Sequence, residues 1–255
     1  MAVEGTINII HHLVDSGPIV KLPEILGVDL SITKHVIMMW IAAALCFVLF
    51  TYIGRQKSLV PKGLRTFFEL ILIYLRDEVV YANMGKKNGE KFLPYVWTIF
   101  FFILFCNMLG LVPMGSTATG NIAVTGALAI CTFVVTHVAG MIHYGPLKYL
   151  KAAFLVGPWP LWPLMAIVEG LGHLVKPFAL MIRLFANMIS GHIMVYVLLG
   201  FIFMFTGVVG YAVAGISAIG VIAIDLLEMM VAVIQAFIFA LLSTVFINLA
   251  LHAEH

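Results

Sequence analysis

The residues able to do chemistry in this chain crowd into its last hundred positions, where few charges belong. Glu169, His173, Lys176, Arg183, Asn187 and His192 interrupt one long apolar run, and Asp225, Glu228 and Gln235 interrupt a second. Carboxylates and imidazoles exchange protons, whereas a guanidinium keeps its charge at any working pH. A charge inside an apolar run costs about 2.5–3.5 kcal/mol on insertion scales, so it needs a partner, water or a function. On a helix advancing about 100° per residue, Glu169, His173, Lys176, Arg183 and Asn187 fall within about 40° of one line. His192 departs from that line by roughly 140°, and Pro177 is expected to kink the helix and blur the phase. Glu228 and Gln235 lie two helical turns apart on one face, with Asp225 about 60° from Glu228. Acids, imidazoles and amides on two neighbouring helices outline a polar pathway.

Other chemistries lack their motifs. No H-E-x-x-H is present, and His11 and His12 are merely adjacent; phosphate-loop, dinucleotide and G-x-S-x-G patterns are missing too. Cys46, Cys106 and Cys131 each sit in an apolar run and none forms a C-x-x-C pair, so all three are expected as buried small hydrophobes. No catalytic residue, cofactor, metal or nucleic-acid partner is expected. For Arg183 a second reading stays open at this level, that of an interfacial anchor whose long stem snorkels from the start of a span, with Glu169 and Lys176 paired structurally.

The elements that must position these residues are membrane helices. Of the 255 residues, 63% are hydrophobic and 10% charged, and the mean hydropathy is +1.11, far above a soluble domain. Several apolar stretches reach the roughly 20 residues of one helical crossing, and strand-like alternation is absent, so the fold is all-α and integral to a membrane. A cleaved signal is not expected: the first 20 residues hold Glu4 and Asp15 but no Lys or Arg. The first span is expected at 36–53, followed by a basic block. Arg55, Lys57, Lys62, Arg65, Arg76, Lys86, Lys87 and Lys91 make eight of the 14 basic residues, which places that block in the cytoplasm and the N-terminal segment 1–35 outside.

Within the basic stretch 54–93, residues 61–82 read as an amphipathic helix, with Arg65, Glu69 and Arg76 opposite Phe67, Phe68 and Ile71. A helical hairpin is expected over 94–142, turning at LVPMGSTATGN, and Lys148 and Lys151 return the chain to the basic side. The stretches 161–206 and 208–251 are each about twice the length of one crossing, so each is two short spans or one long tilted helix.

These residues resemble a known family, subunit a of the rotary F-type ATP synthase. The resemblance rests on RLFANMISGH, on EGLGHLVKP before it, on IQAFIFALLSTVFINLALHAEH after it, and on GEKFLPYVWTIFFFILFCNMLGLVP, and it covers about residues 30–255. It implies a non-catalytic proton-translocating subunit of a bacterial inner membrane, with two aqueous half-channels facing a rotating ring of c subunits. By the same resemblance the tilted pair 161–251 faces that ring, the C-terminus is cytoplasmic, and b-type peripheral stalk subunits and the rest of the complex are partners. Arg183 corresponds to the family's membrane arginine, Asn187 and Gln235 to its polar neighbours, and Glu169 to an acid 14 residues before it. His192 and Glu228 match a pair in which one imidazole and one carboxylate are placed. Glu228 and His192, with Asp225, are expected in the half-channel from outside, and Glu169 with His173 in the path to the cytoplasm. The rival class is a channel or secondary transporter working without a rotor, in which the same stripe would line a substrate path.

Overall fold

A computed structural model describes residues 31, 33–55, 63–111, 117–154, 162–204 and 207–252, so His11, His12 and nearly all of the N-terminal segment 1–35 lie outside the described residues. Every regular element among the described residues is helical: α1 (Lys34–Arg55), α2 (Leu64–Tyr74), a π-helical turn (Leu75–Tyr81), α3 (Ala82–Gly110), a short 3-10 turn (Ala118–Gly120), α4 (Ile122–Tyr144), α5 (Pro146–Phe154), α6 (Trp162–Met204) and α7 (Gly207–Leu251). Five stretches are long and apolar enough to cross a membrane.

The two long apolar runs are one helix each, of 43 and 45 residues. At 1.5 Å per residue each measures about 65 Å, roughly twice a 30 Å hydrocarbon core. The helix α6 runs on through Pro177. The two helices pack against each other, and the second half of α7 also packs against α3 and α4. Ala232, Ala236 and Ala240 recur every fourth residue on α7 and are fully buried, and such small residues let helix backbones approach closely in lipid.

Several expectations need correction. The helix that carries the second apolar run starts well before residue 94: α3 begins at Ala82 and passes through Pro94, and the helical path breaks instead at Gly85, whose φ of 69° is open to glycine. Lys86, Lys87 and Lys91 therefore lie on helix. The amphipathic segment, which could lie on a membrane surface or against other helices, packs against other helices. Leu72, Leu75 and Val79 bury one face of α2 and the π turn in the central core, beside Val96, Phe101 and Phe239, while Phe67, expected on the packed face, is exposed. Cys131 also departs from expectation and faces outward on α4, whereas Cys46 and Cys106 are buried as expected.

Local chemistry places the ends of α4. Asn121 caps its start, its Oδ1 accepting the Ala123 N–H at 2.8 Å. Its last turn closes on Gly145 at a φ of 83°, and Pro146 opens α5 at once, the Gly-then-Pro punctuation that ends one helix and starts another. That sharp reversal folds α5 back against α4 and α6.

Candidate functional site

Arg183 lies on α6 between buried Leu180 and Leu184, yet its own side chain is exposed, beside exposed Phe178 and Ile182. Among the described residues it makes no ion pair or hydrogen bond. The polar stripe thus runs along the margin of the packed face, with Asn187 half-buried one turn beyond the arginine. Polar groups gather on either side of it, at opposite ends of α4.

At the start of α4 the groups are close-packed. His35, in the first turn of α1, donates from Nδ1 to the Thr117 carbonyl at 3.0 Å. The Thr117 hydroxyl is hydrogen-bonded to Nε2 of His192 on α6. Nearby, the Thr119 hydroxyl donates to Asn107 Oδ1 at 2.8 Å, and Asn107 Nδ2 donates to the Ala232 carbonyl of α7 at 3.2 Å. Glu228 and Gln235 are buried on α7, and Glu228 Oε1 and Gln235 Nε2 have no hydrogen-bond partner among the described residues. Buried polar atoms left this way call for a partner such as water. Gly191 is what admits Glu228: a Cβ there would lie 2.5–2.8 Å from the carboxyl atoms. Asp225 is exposed, but close enough for its charge to be felt at both His192 and Glu228.

The other end is open. Glu169, His173 and Lys176 of α6 line a cavity of about 280 Å³ together with His137 of α4 and Tyr149 of α5. His137 Nδ1 and the Tyr149 hydroxyl are 2.8 Å apart and hydrogen-bonded, and the His137 and His173 rings lie 5.0 Å centroid to centroid. Lys176 places its ammonium 5.7 Å from the centre of the Phe246 ring. Burial pushes the Tyr149 phenol up, so it stays a neutral hydroxyl. Below the cavity, the Tyr144 hydroxyl donates to the Leu251 carbonyl at 2.8 Å, tying the end of α7 to the end of α4.

The structure therefore brings His192, Glu228 and Asp225 into one neighbourhood, and Glu169 with His173 into another, and leaves Arg183 between them on the outer surface. Sequence reading missed His35, Asn107, Thr117 and Thr119 at one end and His137 and Tyr149 at the other. A signal existed for the histidines: His137 is the only titratable group in VVTHVAG, and His35 opens the first apolar run.

Apolar helices enclosing two separated polar clusters define a multi-span membrane protein with a polar interior. The profile of the ATP synthase A chain family matches residues 36–248. ATP synthase subunit a of Myxococcus xanthus (strain DK1622) is 50% identical over 232 residues, covering 89% of this chain and 75% of that relative. The subunit a of Chloroherpeton thalassium (strain ATCC 35110 / GB-78) is 44% identical over 265 residues, covering 98% and 78%. ATP synthase subunit a 2 of Chlorobaculum tepidum (strain ATCC 49652 / DSM 12025 / NBRC 103806 / TLS) is 43% identical over 257 residues, covering 95% and 72%. The chain belongs to the ATP synthase A chain family, as a multi-pass membrane subunit of a bacterial ATP synthase.

Proposed function

We propose that this chain conducts protons across the bacterial inner membrane as the stationary partner of a ring of c subunits, each carrying one carboxylate at mid-membrane. The reading is carried by one observation: Arg183 presents a permanent charge on an exposed apolar face with no partner among the described residues, between two polar clusters at opposite ends. Its counter-charge then lies in another protein. A guanidinium about 4 Å from a carboxylate, at an effective dielectric near 20, attracts it by about 4 kcal/mol, enough to favour release of that acid's proton. The same charge repels protons and blocks a direct leak between the ends. An ionised carboxylate is strongly disfavoured in lipid, so the ring acid must be reprotonated before it turns away. Each proton falling through the membrane supplies about 2.3 kcal/mol per 100 mV, which drives rotation.

The half-channels follow from the clusters. His192, Glu228 and Asp225, with Asn187 and Gln235 lining the approach to Arg183, form the path from outside. Glu169 and His173 form the path to the cytoplasm. Lys86, Lys87 and Lys91 at the start of α3 and Lys148 and Lys151 on α5 put the Tyr149 end on the positive, cytoplasmic side, with the N-terminus outside and the C-terminus inside. Helices of about 65 Å fit a 30 Å core only when steeply tilted, so α6 and α7 lie as a slanted hairpin against the ring, α2 lies at the cytoplasmic surface, and b-type stalk subunits hold the assembly still. ATP chemistry belongs to other subunits.

The rival reading, a channel or transporter without a rotor, is separated by purification and reconstitution. Solubilised gently, the chain is expected to co-purify with a ring of small two-helix proteins, and alone in liposomes to carry no coupled flux. Transport by the isolated chain would favour the rival.

A further inference from the structure

His137 and Tyr149 have no place in the path drawn above, yet the fold builds them into contact. Gly145 and Pro146 reverse the chain so that α5 doubles back on α4, and Tyr149, itself 1% exposed, lies flat where Gly140 has no Cβ; a methyl group there would collide with the Tyr149 ring. The phenol is thereby fixed on His137 Nδ1. The other ring nitrogen, Nε2, is buried with no hydrogen-bond partner among the described residues. His137 lines the same cavity as Glu169, and at about 280 Å³ that cavity has room for several waters at about 30 Å³ each.

We infer that His137 is a proton relay of the cytoplasmic half-channel, exchanging protons between cavity water and the Glu169–His173 pair, and that Tyr149 is its positioning residue. The inference rests on the proposed function. His137 donates its Nδ1–H to the neutral Tyr149 hydroxyl, which leaves the lone pair of Nε2 as the base. When a shift of the His137 ring opens the buried Nε2 to the cavity, a proton released by Glu169 crosses a water to it, giving an imidazolium, and the same nitrogen returns that proton to water nearer the open end; one proton enters, one leaves, and no tautomer change is needed. The groups facing His137 set the lifetime of the charge. His173 and Lys176 on α6 oppose it, Glu169 on α6 supports it, and Tyr149 on α5 and His252 just beyond α7 complete the lining. A relay needs that balance, because a long-lived imidazolium would trap the proton.

The test uses the whole complex in sealed vesicles. Passive proton flux is read after removal of the soluble head, and ATP-driven pumping is read before it. His137→Gln is expected to slow passive flux by at least about tenfold, less than the roughly 10²–10⁴-fold of a positioned acid–base group because cavity water can bypass one relay, and to change its pH dependence. Tyr149→Phe is expected to have a smaller effect in the same direction. Imidazole in the medium is expected to restore flux to His137→Ala, which a purely structural role for the side chain would not allow. Should His137→Ala fail to assemble, His137→Gln and Tyr149→Phe decide. An assembled His137→Gln complex with wild-type flux and pH profile overturns the relay, as does a loss in His137→Ala that imidazole leaves untouched. Pumping that survives Arg183→Ala means the proposed function itself has failed; pumping that needs Arg183 but ignores His137 means only the relay has.

Discussion

The two ends of this molecule hold similar groups in different physical states. At the start of α4 a histidine, a threonine and a carboxylate are packed shut: His192 is held by Thr117, Thr117 by His35, and Glu228 by the missing Cβ of Gly191. At its far end, about 24 Å of helix rise away from Asn121 to His137, histidines, a carboxylate and a lysine stand around an open cavity. The difference teaches where control resides. Tight direct hydrogen bonds fix tautomers and suit a proton handed on one group at a time, whereas an open cavity suits rapid exchange with bulk water. Arg183 lies on α6 between the two.

The comparison can be broken most severely at the closed end. Gly191→Ala would drive a methyl group into the Glu228 carboxyl, and ATP-driven pumping is expected to fall by well over tenfold with the complex still assembled. Wild-type pumping in that variant would mean the packing around Glu228 is irrelevant. Exchanging His192 and Glu228 is the next test. The double exchange is expected to keep more pumping than either single change, because one imidazole and one carboxylate survive in the pair; equal loss in all three would remove the pair from the path.

Thr117→Val keeps the shape but deletes the hydroxyl that holds His192. The lost hydrogen bond is worth about 1 kcal/mol, so pumping should slow by roughly fivefold, with the pH profile moving as His192 is freed. An unmoved profile would show that Thr117 does not govern His192. The mildest change lies outside both clusters. Asn121→Ala removes the cap of α4 and should lower thermal stability in detergent by about 1 kcal/mol, with proton transport intact. Loss of transport there would mean the two ends depend on the rigidity of α4 itself.

Much of this was legible in the sequence, because helices in lipid answer to simple constraints. A largely apolar run of about 45 residues has to satisfy its backbone internally, so the stretch that became α7 had to be helical, as one helix or two. The spacing of Glu228 and Gln235 placed both on one face, and both are buried. What escaped was contact between distant segments. Thr117 reaches His192 across 75 residues and His35 across 82, and no periodicity within one helix encodes either meeting. Tyr149 was hidden for a different reason: it belongs to a connector, and only the reversal at Gly145 brings it to His137. The early start of α3 and its break at Gly85 were missed because Lys86, Lys87 and Lys91 interrupt the apolar run there, and a helix in lipid tolerates the interior Pro94 when its neighbours satisfy the backbone.

The central claim is that Arg183 separates the two ends and acts on a charge supplied by another protein. Arg183→Ala in the intact complex tests it most directly, with ATP-driven pumping and passive proton leak measured on the same vesicles. Pumping should vanish while leak through the membrane sector persists or rises, since the barrier between the ends is gone. Normal pumping in that variant, or a membrane sector sealed to protons, would contradict the account.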